Sequence, residues 1–112
     1  MATELPISVS VNDARSLLEA REDVCLLDCR LQQEYDIVHL PSSILIPMDQ
    51  LAERVAELED FRHTPLIVYC HMGVRSEMVA NWLRSQGFTA AQSMEGGIDA
   101  WSIQIDPNLA RY

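Results

Sequence analysis

Lysine is missing altogether: the 112 residues carry eight basic side chains, all of them arginine, against 17 acidic ones, for a formal charge of -9. Such a surface repels phosphate backbones in general, so nucleic acid is not an expected partner. Long apolar runs are missing too. Nothing approaches the roughly 18 consecutive apolar residues that a membrane-spanning helix needs, and the opening Met-Ala-Thr-Glu-Leu-Pro has neither the basic nor the apolar region of a secretory leader. The expectation is a cytoplasmic chain with no membrane partner. Cysteine is scarce and odd in number. Cys25, Cys29 and Cys70 leave one thiol over after any single disulfide, which argues against a secreted, stapled scaffold. The three histidines, His39, His63 and His71, are too dispersed to give a compact metal-ligand pattern, and Cys25 with Cys29 lacks a second pair. No metal is expected.

What is present reads as an ordinary globule, 48% hydrophobic and 22% charged, of a length that suits one domain over residues 1–112. Strand and helix patterns alternate along it. Ile7–Val11 suggests a first strand, followed by a helix capped by Asn12 with Leu17 and Leu18 inside and an end near Ala20 to Glu22. Val24–Asp28 is the second strand, Gln32–Val38 a short helix, and Ile44–Ile46 a third strand closed by Pro47. Asp49 is positioned to cap a covering helix with Leu51, Val55, Leu58 and Phe61 on its inner face. Leu66–Tyr69 is a buried strand, a helix runs from Arg75 or Ser76 to Ser85 with Gly87 beyond its end, and Ala90–Ser93 is the fifth strand. Ile98 and Trp101 open a last short helix, and the tail Gln104–Tyr112 reads as loosely held. The alternation implies an α/β fold, a parallel sheet with helices on both faces and the carboxyl ends of its strands on one side.

Cys70 stands at one such end, where the fourth strand hands over to a helix. Only His71 to Arg75 intervene, so the chain must curl tightly, and Gly73 can take a positive φ. A curl of this kind turns backbone N–H groups inward and, with the free amides of the following helix, surrounds the sulfur with donors. Arg75 adds a permanent positive charge suited to sulfonate, phosphate or carboxylate oxygens. The expectation is an accessible thiolate at neutral pH, ionising below the ~8.5 of a free cysteine. Cys25 reads as a small core residue.

The run Cys70-His71-Met72-Gly73-Val74-Arg75-Ser76 resembles the active-site loop of rhodanese-domain sulfurtransferases. Asp28-Cys29-Arg30 with Glu34-Tyr35, Val38-His39-Leu40-Pro41-Ser42-Ser43, and Glu95-Gly96-Gly97-Ile98 with Trp101 resemble three further segments of that family, in the same order. Val38 and Ser42 depart from it, standing where the family often has glycine, so altered turns are expected there. The end of the chain also looks similar to the rhodanese domain of sulfur-carrier activating enzymes.

The resemblance implies a three-layer fold, a five-stranded parallel sheet in order 1-5-4-2-3 with helices on both faces. It implies a sulfurtransferase in which Cys70 accepts sulfane sulfur from thiosulfate or a low-molecular-weight persulfide, carries it as a persulfide and delivers it to cyanide, a thiol or a small sulfur-carrier protein; a cysteine desulfurase is a further candidate donor. By the same resemblance the amides of His71, Met72, Gly73, Val74, Arg75 and Ser76 hold the substrate, Arg75 orients an anionic donor, and Asp28 with Arg30 support the loop. No cofactor beyond the covalent persulfide is implied. Two other readings stay open. A cysteine-dependent phosphatase or arsenate reductase-like enzyme uses the same nucleophile and clamp, but with five residues between them rather than the four found here. A non-catalytic persulfide-binding or partner-binding module is the other. Cys29, at the end of the strand expected to neighbour that of Cys70, is either a packed thiol or a redox partner.

Overall fold

The computed structural model describes residues 5–112. Residues 1–4, part of the stretch read for a leader, lie outside the described residues. Five strands, β1 (Ser8–Val9), β2 (Cys25–Asp28), β3 (Ile44–Leu45), β4 (Leu66–Tyr69) and β5 (Ala91–Met94), form one parallel sheet in the order β1-β5-β4-β2-β3. The helices are α1 (Val11–Ala20), α2 (Gln32–Ile37), α3 (Leu51–Arg54), α4 (Val74–Ser85) and α5 (Gly97–Gln104). The three central strands are buried along their whole length, as expected where both faces of a parallel sheet are covered.

Because side chains alternate along a strand, the sheet divides the interior in two. On one face Cys25, Leu27 and Cys29 of the second strand and Leu66, Val68 and Cys70 of the fourth pack with Leu51, Leu58, Val79, Leu83 and Phe88. On the other, Leu26, Ile67, Tyr69 and Met94 pack with Val11, Ala14, Leu40 and Ile98. The carboxyl ends of β2, β4 and β5 therefore deliver Asp28 to Arg30, Cys70, and Glu95 to Gly97 to one edge.

Several local expectations need correction. The first strand ends at Val9 and Ser10, not Asn12, caps α1: its hydroxyl accepts from the Asp13 amide at 3.1 Å, and Val11 is already buried as a helical residue. The stretch after Pro47 is not one α-helix capped by Asp49. It runs as a 3₁₀ turn over Met48–Gln50, the single turn of α3, then a 3₁₀ helix over Val55–Phe61. The spacing of Val55, Leu58 and Phe61 is three throughout, the period at which 3₁₀ side chains stack. Ser42, one of the two positions that depart from glycine, takes φ +64°, so the turn keeps its left-handed residue despite the side chain.

Asp28 and Arg30 form an ion pair with both side chains wholly buried, the Arg30 terminal nitrogen 2.7 Å from Asp28 Oδ2 and its Nε 2.9 Å from Oδ1. Arg30 also donates to the Val38 carbonyl at 2.6 Å and faces the Tyr69 ring at 5.5 Å, tying the β2 end to the α2 segment. The two residues were expected to support the loop after β4; the contacts they make run to Val38 and the Tyr69 ring. Replacing Asp28 by Ala strands the buried guanidinium and is expected to lower stability by about 3–5 kcal/mol. The urea midpoint measures it; an unchanged midpoint would show that the pair holds nothing together.

Candidate active site

The loop after β4 is held from below. The N-terminal amides of α5 reach across: Ile98 N–H donates to the Cys70 carbonyl at 2.9 Å and Asp99 N–H to the His71 carbonyl at 3.1 Å. A side chain at Gly97 would collide with both of those carbonyls, and Gly97 itself lies at φ +63°, so only glycine lets α5 approach this closely. With its first carbonyls turned down onto a helix end, the loop is left to present its amides upward.

Gly73, at φ +102°, is the N-cap of α4 and has no side chain with which to cap it. The Cys70 sulfur takes that place, accepting from Gly73 N–H at 3.1 Å and from Ser76 N–H at 3.3 Å. The Ser76 hydroxyl is 3.4 Å from the same sulfur and 2.7 Å from the Ser93 hydroxyl on β5. An anion at a helix N-terminus with direct amide donors is favoured. The Cys70 thiol is accordingly held down at about 5: the adjoining Cys29 thiol contributes most, burial opposes, and the Ser76 hydroxyl, Ser76 amide and Gly73 amide add to the depression.

Two parts of the sequence reading change here. The sulfur does not stand open at a mouth, since Cys70 is 1% exposed and counts among the residues of the apolar cluster beneath it. Of the six residues expected to cradle it, only Gly73 and Ser76 direct amides at it, while the Met72 and Val74 side chains are exposed at 58% and 71%. Nor is Arg75 a free clamp. Its two terminal nitrogens donate to the two carboxylate oxygens of Glu34 at 2.6 and 2.9 Å.

Glu34 is the residue that sequence reasoning noted but did not use. Besides Arg75 it accepts from Leu31 N–H at 3.2 Å and from the Tyr112 hydroxyl at 2.6 Å. The Arg75 guanidinium, then Tyr112, then the Leu31 amide hold its carboxyl at about 2 against the opposing effect of burial. Tyr112 was read as part of a loose tail. It instead accepts from Arg30 at 2.8 Å, and its ring stacks on that of His71 with centroids 4.0 Å apart and planes at 11°. Arg111 pairs with Asp99 at 2.9 Å on the same side. Arg30, Glu34, Arg75, His71 and Tyr112 thus form one connected collar beside the loop. Ser93 was also missed, since a serine inside a strand gives no local signal of its partner across the sheet. On the other side of Gly73 an open cavity of about 460 Å³ is lined by Met72, Val74, Met78, Asn81, Ser93, Gly96 and two carboxylates, Glu77 and Glu95.

The model of the family described as rhodanese-like domain matches residues 10–104, and the chain belongs to that family. It is 37% identical over 95 residues to the adenylyltransferase and sulfurtransferase uba4 of Ogataea parapolymorpha, covering 85% of this chain and 24% of that one. It is 30% identical over 118 residues to the adenylyltransferase and sulfurtransferase MOCS3 of Arabidopsis thaliana, covering 93% of this chain and 25% of that one. The chain therefore spans about a quarter of the length of these curated relatives. Among solved structures, a rhodanese-like domain protein from Staphylococcus aureus superposes with TM-score 0.76 at 28% identity, covering 96% of this chain and 99% of that one. The expected fold and family both stand, and membership supports sulfurtransferase-type activity in general.

Two measurements test the site. The rate of Cys70 alkylation should follow the thiolate fraction, flat from pH 7 down to about 6 and falling through a midpoint near 5. A midpoint in the ordinary thiol range would show that the donors do not hold an anion. Replacing Tyr112 by Ala removes a ring stack and two hydrogen bonds from the collar, and alkylation at fixed pH should accelerate about tenfold as the loop loosens. An unaltered rate would mean that Tyr112 does not restrain the loop.

Proposed function

We propose that this protein is a sulfurtransferase that moves sulfane sulfur through a persulfide on Cys70. The observation that carries the reading is the Cys70 sulfur standing in for the N-cap of α4, with the Gly73 and Ser76 amides at 3.1 and 3.3 Å. A thiolate so held needs no general base. It attacks the outer sulfur of thiosulfate, the S–S bond of the donor breaks, and sulfite leaves with the electron pair, giving Cys70–S–S⁻. With a low-molecular-weight persulfide as donor a thiolate leaves instead. The acceptor, cyanide in vitro or a thiol, then attacks the outer sulfur, and Cys70 departs as the thiolate it began as. The terminal sulfur carries the negative charge in the persulfide state, where the amide donors of the loop stabilise it. The cycle calls for no bound cofactor.

His71 is a positioning residue in this scheme, since its ring is stacked on Tyr112. Arg75 acts on the loop through Glu34, so a doubly charged donor meets an ion pair rather than a free cation. Cys70 is buried, so the loop opens for the donor, and Met72 and Val74 are its most exposed residues. A small sulfur-carrier protein and a cysteine desulfurase are the proposed protein partners, in keeping with relatives named for adenylyl and sulfur transfer together. A phosphatase is less well supported: a tetrahedral phosphoryl group needs an arginine aimed into the loop, whereas Arg75 is turned to Glu34.

Intact mass after incubation with thiosulfate, or with an alkyl persulfide, is the direct test. The chain should gain the mass of one sulfur atom, lose it on adding cyanide with formation of thiocyanate, and gain nothing when Cys70 is replaced by Ala. No gain in the unaltered chain, or an equal gain without Cys70, would overturn the reading. A burst of phosphate from an aryl phosphate would transfer the site to phosphoryl chemistry.

A further inference from the structure

The transfer cycle uses Cys29 only as the neighbour that does most to lower the Cys70 pKa, and gives its sulfur no bond to make. β2 and β4 run in parallel register with Asp28 opposite Tyr69, and the ladder continues one step further, the Cys29 amide donating to the Tyr69 carbonyl at 3.1 Å. Cys29 and Cys70 are the next positions on these neighbouring strands. Both side chains point to the same face and into the same cluster. Adjacent strands lie ~4.8 Å apart, inside the Cα window of about 4.4–6.8 Å that a disulfide requires. Each thiol is also the largest single influence on the ionisation of the other. Cys25 shares the face but stands opposite Leu66 at the far end of the strand, ~13 Å away at ~3.3 Å per residue.

We propose that Cys29 is a resolving thiol that discharges the Cys70 persulfide internally, giving the protein a second activity as a dithiol-dependent persulfide reductase. This rests on the persulfide reading above. The Cys29 sulfur attacks the inner sulfur of Cys70–S–S⁻. A Cys29–Cys70 bond forms, the bond to the outer sulfur breaks, and that sulfur takes the electron pair and the proton of Cys29, leaving as hydrosulfide. Charge and atoms balance with no external base: one thiol and one persulfide anion become one disulfide and one hydrosulfide. A small dithiol then reduces the disulfide, restores both thiols and is itself oxidised to a disulfide.

Three features of the site favour this step. Loading Cys70 moves the negative charge one atom further from Cys29, which weakens the hydrogen bond to the Cys70 sulfur that, ahead of burial and charge repulsion, holds the Cys29 thiol protonated. The departing sulfur lies on the loop side, toward the Gly73 and Ser76 donors, so the leaving charge develops where amides already point. Cys29 is 1% exposed, so its reactions with soluble thiols are suppressed while the attack on its neighbour is intramolecular. The move required is small, because Cys70 is the first residue of the loop and can close on a strand it already adjoins.

The experiment loads the full chain with thiosulfate, removes the donor and follows intact mass and released sulfide without reductant. The mass should first rise by one sulfur atom, then fall to two hydrogens below the starting value as one sulfide is released per chain. Peptide mapping should locate the bond at Cys29–Cys70, and dithiothreitol should restore the starting mass. Replacing Cys29 by Ser, or by Ala to suit the apolar cluster, should lengthen the life of the persulfide by at least ~10-fold, and Cys25→Ser should behave as the unaltered chain. A persulfide equally long-lived with and without Cys29, or a disulfide through Cys25, would overturn the proposal while leaving sulfur transfer intact. Failure of the unaltered chain to take up sulfur would overturn both.

Discussion

The site depends on a substitution of one acceptor for another. A helix that begins with glycine has amides without a side-chain cap, and in α4 the acceptor comes from Cys70, three residues before the cap, rather than from the cap itself. For an ordinary helix this position is filled by a serine, threonine or aspartate oxygen. A thiolate is a larger and softer acceptor, and its charge gains from the positive end of the helix as well as from the amides. The geometry that activates the cysteine is therefore the geometry that starts the helix, and neither can be altered alone.

That geometry is imposed from two sides. Below, α5 takes up the carbonyls of Cys70 and His71, which works only because Gly97 allows backbone to touch backbone. Beside the loop, Glu34 accepts from Arg75, Tyr112 and Leu31 at once, joining α4 to α2 and to the last residue of the described chain. The carboxylate gains a low pKa from these partners, and the partners gain a fixed position from it. Arginine suits this better than lysine would, since its planar fork meets both carboxylate oxygens together.

Most of the architecture was legible from periodicity, and the segments that failed did so for identifiable reasons. β4 is apolar along its length, β2 until Asp28, and β5 lies between turn signals, so all three were found to within a residue. The helix after Pro47 was misjudged because apolar residues three apart fit a 3₁₀ helix as well as the inner face of an α-helix, and only the backbone decides between them. The cap was placed two residues late, at Asn12 rather than Ser10, because the strand was read through Val11 and only the backbone shows where it lets go. At the site, Cys70, Gly73, Arg75 and Ser76 stand close together in the chain and were readable as one motif. The collar was not. Glu34 lies 41 residues from Arg75 and 78 from Tyr112, and no local pattern marks a tyrosine near the end of a chain as the partner of a carboxylate in another segment. The burial of the sulfur was equally hidden, because a motif says which residues surround an atom but not how closely they cover it.

Burial and ionisation pull in opposite directions on Cys70, and the balance between them explains why so much structure converges there. An apolar cluster on one side raises the energy of a charged sulfur, and only direct donors can reverse that. The donors are the Cys29 thiol, the Ser76 hydroxyl and the Ser76 and Gly73 amides, while the exposed side chains of the loop, Met72 and Val74, have no polar role. Access and activation are thus assigned to different atoms of the same loop. The Gly73 and Ser76 amides are held at the start of α4, whose first residue is Val74, and Met72 precedes the cap. A site built this way keeps its thiolate away from solvent between encounters without giving up the low pKa that makes it a nucleophile, and the cavity beside Gly73, with Glu77 and Glu95 on its wall, sets the charge that an approaching molecule meets first.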